Sequence, residues 1–251
     1  RWSEYYKKYV IIALNSAGWC GVIDYETKAT LWETELKNSP HSIEMMPNGD
    51  IVIVGSGTGA VSGSIVYYPL SQTNGSTEQS SLVKLPGGHG VSWDPQNNVL
   101  WAVYDPGLVA FEVENYGTAN ATLKKLNGMS VDFEDDYNGH DFMPVDGQPG
   151  KYWVSAAGEV WQFDANEITL DRDFEHSAVI SNSNVKGIAH FADGTIVMTV
   201  AGKPNGETKF SYSTLILRIL TIDENNEIDV TEVKFSDREF YKVHAFCPDY
   251  Q

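Results

Sequence analysis

The sequence predicts an all-β protein, a five-bladed β-propeller of four-stranded antiparallel blades, and three observations predict it. A strand–turn–strand unit recurs four times with a histidine or lysine at its start. Two further strand-like runs follow each unit. An incomplete fifth unit near the C-terminus is matched by surplus strands near the N-terminus, so one domain over 1–251 accounts for the chain.

The four units open at His41-Ser-Ile-Glu, His89-Gly-Val-Ser-Trp-Asp, His140-Asp-Phe-Met-Pro-Val and Lys186-Gly-Ile-Ala-His. In each, a Pro/Gly/Asn/Asp turn leads into a strongly apolar run such as Ile51-Val-Ile-Val54. Third strands are expected at 64–69, 108–113, 159–164 and 215–222, and fourth strands at 81–85, 122–126, 178–181 and 230–235. No apolar stripe of 3.6-residue period competes. The segment from Lys242 to Asp249 reads as a fifth first strand, and 9–14, 21–25 and 30–36 as the strands that complete its blade. Residues 41, 89, 140, 186 and 242 then recur at intervals of 46 to 56, and the interval from 242 through the last residue to 41 is 50. Pairing of the C-terminal inner strand with the N-terminal strands is expected to close the ring and remove exposed edges.

Net charge is −17 with a pI near 4.6, which argues against nucleic acid and against anionic membrane surfaces as partners. No run of about 18 apolar residues is present to span a bilayer. The chain opens on Arg1 rather than Met, so an upstream segment is expected to have been removed, either as a signal peptide or by trimming, and sequons stand at Asn74 and Asn120. A secreted, glycosylated protein is expected, and a monomer. Cys20 and Cys247 fall at opposite ends of their strands, which disfavours a disulfide between them.

First strands of a propeller line its central channel, so His41, His89, His140, Lys186 and Lys242 are expected at one mouth of it. His244 shares a strand face with Lys242, and His190 is expected to point the same way as Lys186 but deeper. Two ammonium groups among imidazoles in an acidic protein suit a carboxylate or sulfate. The leading expectation is therefore an acidic, uronate-type oligo- or polysaccharide held by Lys186, Lys242, His244 and His190. A polysaccharide lyase would add β-elimination, with a lysine stabilising the enolate, His89, His140 or His41 as base and Tyr212 as acid. A non-catalytic lectin or interaction scaffold is the alternative. No cofactor is expected in the leading reading, although His41, His89 and His140 form an alternative divalent-metal site.

Loops around that mouth are expected at 55–63, 127–139 and 202–212. The second carries Asp132, Glu134, Asp135 and Asp136 and is read as solvated rather than as a Ca²⁺ site, with Phe133 and Tyr137 as candidates to stack on a sugar. Trp101, Trp153 and Trp161 are expected in the core, and His176 at the surface. Paired carboxylates at the mouth, a G-x-S-x-G elbow, a P-loop and H-E-x-x-H are all absent.

The strings Pro-His41-Ser-Ile-Glu, Gly-His89-Gly-Val-Ser-Trp-Asp, Gly-His140-Asp-Phe-Met-Pro-Val, Val-Lys186-Gly-Ile and Tyr-Lys242-Val resemble an uncharacterised, domain-of-unknown-function family of secreted bacterial and fungal propellers, of quinoprotein-like or WD40-like type. The resemblance covers nearly the whole chain. It implies a propeller and export, and no particular activity.

Overall fold

The computed structural model describes residues 1–57, 63–134, 138–202, 208 and 210–244. Its strands form five four-stranded antiparallel sheets, each in simple up-and-down order, and the fold is a five-bladed β-propeller. The chain divides into two compact units, whose described residues fall within 1–134 and 138–244.

The first unit holds three sheets. The N-terminal one comprises β1 (Trp2–Ser3), β2 (Lys8–Leu14), β3 (Trp19–Asp24) and β4 (Thr30–Glu35). The second comprises β5 (Pro40–Met45), β6 (Ile51–Gly55), β7 (Ser64–Tyr68) and β8 (Ser81–Lys84). The third comprises β9 (Gly90–Asp94), β10 (Val99–Tyr104), β11 (Gly107–Glu114) and β12 (Thr122–Asp132). β6 shows why its apolar run is unbroken. Ile51 and Ile53 face the N-terminal sheet and pack with Val10, Val22, Trp32 and Tyr68. Val52 and Val54 face the third sheet and pack with Leu100, Ala102, Val109 and Phe111. A strand covered on both faces needs apolar residues at every position.

Buried turn carboxylates brace the hairpins within the second and third sheets. Asp50 is 0 % exposed and accepts from the Tyr67 hydroxyl at 2.8 Å, the Ser71 amide at 2.9 Å and Asn48 Nδ2 at 2.7 Å. Asp94 accepts from Trp101 Nε1 and from the amides of Gln96 and Asn97.

The second unit holds two sheets. One comprises β13 (Gly139–Pro144), β14 (Lys151–Ala156), β15 (Val160–Asp164) and β16 (Thr169–Asp171). The other comprises β17 (Val185–His190), β18 (Ile196–Val200), β19 (Ile216–Ile222) and β20 (Ile228–Lys234). Its core joins Trp153, Val160, Phe174, Ile188, Ile196, Met198 and Leu220. Trp101, Trp153 and Trp161 are all buried, as expected.

Three expectations are corrected. The inner edge of the N-terminal sheet is filled by Trp2–Ser3, with Trp2 opposite Tyr9 and Ser3 opposite Lys8, so all four of its strands come from the N-terminal segment. Lys242–His244 carry no strand, and the remainder of the expected closing strand lies outside the described residues. Second, the strand expected at 178–181 is replaced by one helical turn, α1 (Ser177–Ile180). The tight turn after β15 brings Thr169–Asp171 back onto it first, in the register Asp164↔Thr169 to Gln162↔Asp171. Third, β12 runs on to Asp132 and so consumes half of the expected acidic loop, while Phe133 is 3 % exposed and unavailable to a sugar. Asp135, Asp136 and Tyr137 lie outside the described residues.

The two-sided burial of β6 predicts that Ile53→Ala costs about 3 kcal/mol of unfolding free energy, the usual penalty for a large-to-small change in a packed core. Val230→Ala on β20, where the residue is 44 % exposed, changes it by less than about 0.5 kcal/mol. Urea denaturation of the two variants checks the contrast.

Candidate functional site

Three of the residues at the repeat position, His41, His140 and Lys186, share one backbone device. In β5 the ladder steps from Pro40↔Gly55 to Ser42↔Val54, which leaves His41 as the extra residue of a β-bulge. β13 steps from Gly139↔Ala156 to Asp141↔Ser155 around His140, and β17 from Val185↔Val200 to Gly187↔Thr199 around Lys186. His89 stands just before β9, its amide donating to the Val103 carbonyl at 3.0 Å. Two residues upstream, Ser39, Gly87 and Asn184 have φ of 54°, 65° and 62°, the left-handed region that small or turn-forming residues tolerate. The carbonyls of Ser39, Asn138 and Asn184 accept from the amides of Ser56, Ala157 and Ala201, each just past the second strand of the same sheet. An inserted residue escapes the strand's alternation, so its side chain is aimed independently of the sheet. The cue in the sequence is the Ser, Gly or Asn two places before each His or Lys.

In the first unit two backbone carbonyls fix an imidazole pair. His41 Nδ1 donates to the Ser39 carbonyl and His89 Nδ1 to the Gly87 carbonyl, each at 2.7 Å. Ser56 Oγ lies 3.2 Å from His41 Nδ1. A carbonyl only accepts, so both rings carry a proton on Nδ1. The rings meet edge to face with centroids 4.5 Å apart.

In the second unit the device builds a charged cluster. Lys186 is 8 % exposed, and its Nζ donates to His140 Nε2 at 2.5 Å. Asp141, directly after His140, is fully buried. Its Oδ1 receives Lys242 Nζ at 3.3 Å and His244 Nε2 at 3.2 Å, and its Oδ2 receives the Ile188 amide at 3.2 Å. Burial opposes the charge on Asp141, but Lys242 and His244 outweigh it and hold the carboxyl down at about 2. Lys186 is pushed down to about 8, first by burial and then by the Lys242 charge. Burial also lowers Lys242, against the pull of Asp141. Gly187 lets the Lys242 segment in. A Cβ there would lie 2.7 Å from the Val243 amide nitrogen and 2.9 Å from the Lys242 Cα. Thr199 Oγ1 clamps the same segment by donating to the Tyr241 carbonyl at 2.8 Å.

Two members of this cluster are not among the residues the sequence singles out. Asp141 is one, although it is a carboxylate where the other units carry Ser42, Gly90 and Gly187. Tyr241 is the other. It is half-buried and its phenol pKa is raised, by burial first and then by Asp141 and Tyr212. Tyr212 is 51 % exposed, stacks on Phe210 and meets the Tyr241 ring edge-on at 5.9 Å. His190 departs from its expected place. The bulge at Lys186 shifts the alternation by one, so His190 falls on the face of Ile188, against Trp153, where its Nδ1 accepts from the Asp146 amide at 3.2 Å. Burial lowers its pKa.

Asn74 and Asn120 are both exposed. His176 is half-buried rather than exposed, with Nε2 against Asn226. Cys20 is a buried free thiol pushed up to about 12 by burial, and Cys247 lies outside the described residues. Among the described residues, no group of three or more His, Cys, Asp or Glu side chains is placed to hold a metal ion. Among the same residues, no helix is long and apolar enough to cross a membrane.

The model of a Family of unknown function (DUF6528) matches residues 3–207, which include His41, His89, His140 and Lys186. The chain belongs to that family. Among curated proteins none matches it. A crystal structure of a protein of unknown function from Bacteroides caccae is similar at 15% identity and a TM-score of 0.54, over 91% of this chain and 73% of that one. U3-55K is similar at 8% identity and 0.60, over 96% and 83%. The Cps50 (Swd1) β-propeller domain of Myceliophteria thermophila is similar at 9% and 0.54, over 90% and 69%. At such identities these likenesses speak for the fold alone.

In this member of the family, Asp141→Asn removes the counter-charge of a buried lysine, a change that typically costs about 3–5 kcal/mol. The sign of its pH dependence is set by the lowered carboxyl. The unfolded carboxyl titrates near ~3.9, so the contribution of Asp141 is complete above that pH and is lost as pH falls towards 2. Urea midpoints between pH 2 and 6 are expected to fall less steeply with acid in Asp141→Asn than in the parent protein.

Proposed function

We propose that the second-unit cluster binds the carboxylate of an acidic, uronate-type saccharide, with Lys186 as its principal contact. The observation that carries this reading is the ammonium of Lys186. It is nearly buried, it has three N–H donors, and its contact among the described residues is the imidazole of His140, with no carboxylate oxygen within 4.0 Å. A buried cation is ordinarily paired. A ligand carboxylate would supply the counter-charge and accept the remaining donors. The net charge of −17 makes a cationic cluster selective here, because anions are repelled from the rest of the surface. Lys242 and His244 are engaged by Asp141, so they tune the site rather than reach the ligand in the state described. Export and glycosylation at Asn74 and Asn120 agree with a glycan ligand and belong to the same proposal.

β-Elimination is a second, separable step. It needs a cation on the carboxylate, a base for the adjacent proton and an acid for the leaving oxygen. Lys186 and His140 serve the first two, and Tyr212 supports the third by carrying an exposed phenol beside Tyr241.

Calorimetric titration with galacturonate and with its neutral counterpart galactose tests the binding reading. Galacturonate is expected to bind and galactose not. Lys186→Met is expected to weaken galacturonate by ~30-fold or more, the effect of removing one partner of a buried charge pair. Lys186 loses its proton as pH rises through about 8, so affinity falls between pH 7 and 9. Equal binding of both sugars, or no effect of Lys186→Met, would overturn the reading. Incubation with polygalacturonate, followed by the ultraviolet absorbance of an unsaturated product, separates a lyase from a lectin.

A further inference from the structure

We infer that Lys186 is a reactive amine that condenses with an aldehyde or ketone to form an imine, with His140 as its proton carrier. Other lysines stand against carboxylates: Lys8 on Asp24 at 2.7 Å, Lys124 on Glu114 at 2.8 Å and Lys242 on Asp141 at 3.3 Å. Each of those contacts stabilises the ammonium form. Lys186 is buried instead against a ring nitrogen 2.5 Å away. An imidazole does not neutralise an ammonium, but it can take the proton from one. The β-bulge separates Lys186 from the packed faces of β17, and Asp141 anchors Lys242 close enough for its charge to act on Lys186. A desolvated lysine beside a second cation is the standard arrangement for making an amine nucleophilic at neutral pH. The lowering of Lys186 to about 8 agrees with that geometry.

The step balances without a co-reactant. His140 Nε2 takes one proton from Lys186, which frees the nitrogen lone pair. The lone pair attacks the carbonyl carbon, the C=O π pair moves to oxygen, and a proton passes from the nitrogen to that oxygen to give a carbinolamine. The imidazolium of His140 then gives its proton to the hydroxyl, which leaves as water while the nitrogen lone pair closes the C=N bond. Ammonium and carbonyl have become protonated imine and water. The fitting substrates are aldehydes and ketones, small oxo acids and the open-chain reducing ends of sugars among them. Imine formation uses the neutral amine, whereas the carboxylate site uses the ammonium, so each stands without the other.

The test is reductive trapping of the intact protein with glyoxylate and cyanoborohydride at pH 7, followed by peptide mapping of carboxymethyl-lysine. An ordinary lysine is ~0.04% neutral at that pH, and one lowered to about 8 is roughly 10% neutral. Lys186 is therefore expected to label on the order of 100-fold faster than the exposed Lys7 and Lys124, whose side chains are 72% and 57% exposed. His140→Gln is expected to slow labelling of Lys186 at pH 7 and to spare it at pH 10, where no proton carrier is needed. Labelling spread evenly over the surface lysines, or a His140→Gln protein that labels at the parent rate at pH 7, overturns the inference. Galacturonate binding with Lys186 unlabelled overturns it too and leaves the carboxylate site standing. Labelling at Lys186 without galacturonate binding supports it and removes that site.

Discussion

One extra residue at the start of an inner strand is the constraint on which the site depends. A regular strand commits alternate side chains to opposite faces, and in a blade packed on both sides either face means the apolar core. The bulges at His41, His140 and Lys186 suspend that commitment for a single residue. They are held by a carbonyl two residues earlier that bonds just past the end of the paired strand, so the release is local and the ladder resumes at once. The same backbone thus displays His in one sheet and Lys in another, and chemistry changes by substitution without disturbing the fold.

The residue next after the bulge decides the electrostatics. Ser42 Oγ accepts the Val91 amide, and Asp141 Oδ2 accepts the Ile188 amide, so the position is a stitch between neighbouring inner strands. Serine makes the stitch and nothing more. Aspartate has a second oxygen, which takes Lys242 and His244 and thereby recruits a segment that carries no strand of its own. Gly187 is the steric counterpart, since a side chain there would meet the backbone of that segment. One carboxylate and one absent Cβ place a second lysine near Lys186.

The fold is legible in the sequence because each unit repeats strong local signals: a turn rich in Pro, Gly and Asn, then an apolar run too continuous for a half-exposed strand. Signals that are short or that depend on pairing are not. Trp2–Ser3 is a two-residue strand with no period to detect. Thr169–Asp171 forms by proximity to β15 rather than by propensity. The repeat position is legible as a position, since His41, His89, His140 and Lys186 align without gaps in their motifs. Their partners are not. A bulge is a property of two strands, and strict alternation without it puts His190 on the wrong face. Asp141 stays hidden because one aspartate beside a histidine carries no spacing that marks it as a ligand for cations a hundred residues away.

The second unit also explains how such a site is tolerated. Several kcal/mol is the order of the cost of holding an ammonium away from water without a counter-charge. The sheets that carry Lys186 bury Trp153, Val160, Ile188, Ile196 and Met198 almost completely, each contributing roughly 1.5–3 kcal/mol of burial. That core offsets the cost but gives no reason for it. A methionine at 186 would fill the space, add apolar area and remove the penalty, and a serine would line the strand without a charge to bury. Packing therefore disfavours the lysine. The ligand chemistry proposed for its ammonium and its imidazole partner would supply a physical reason for its presence.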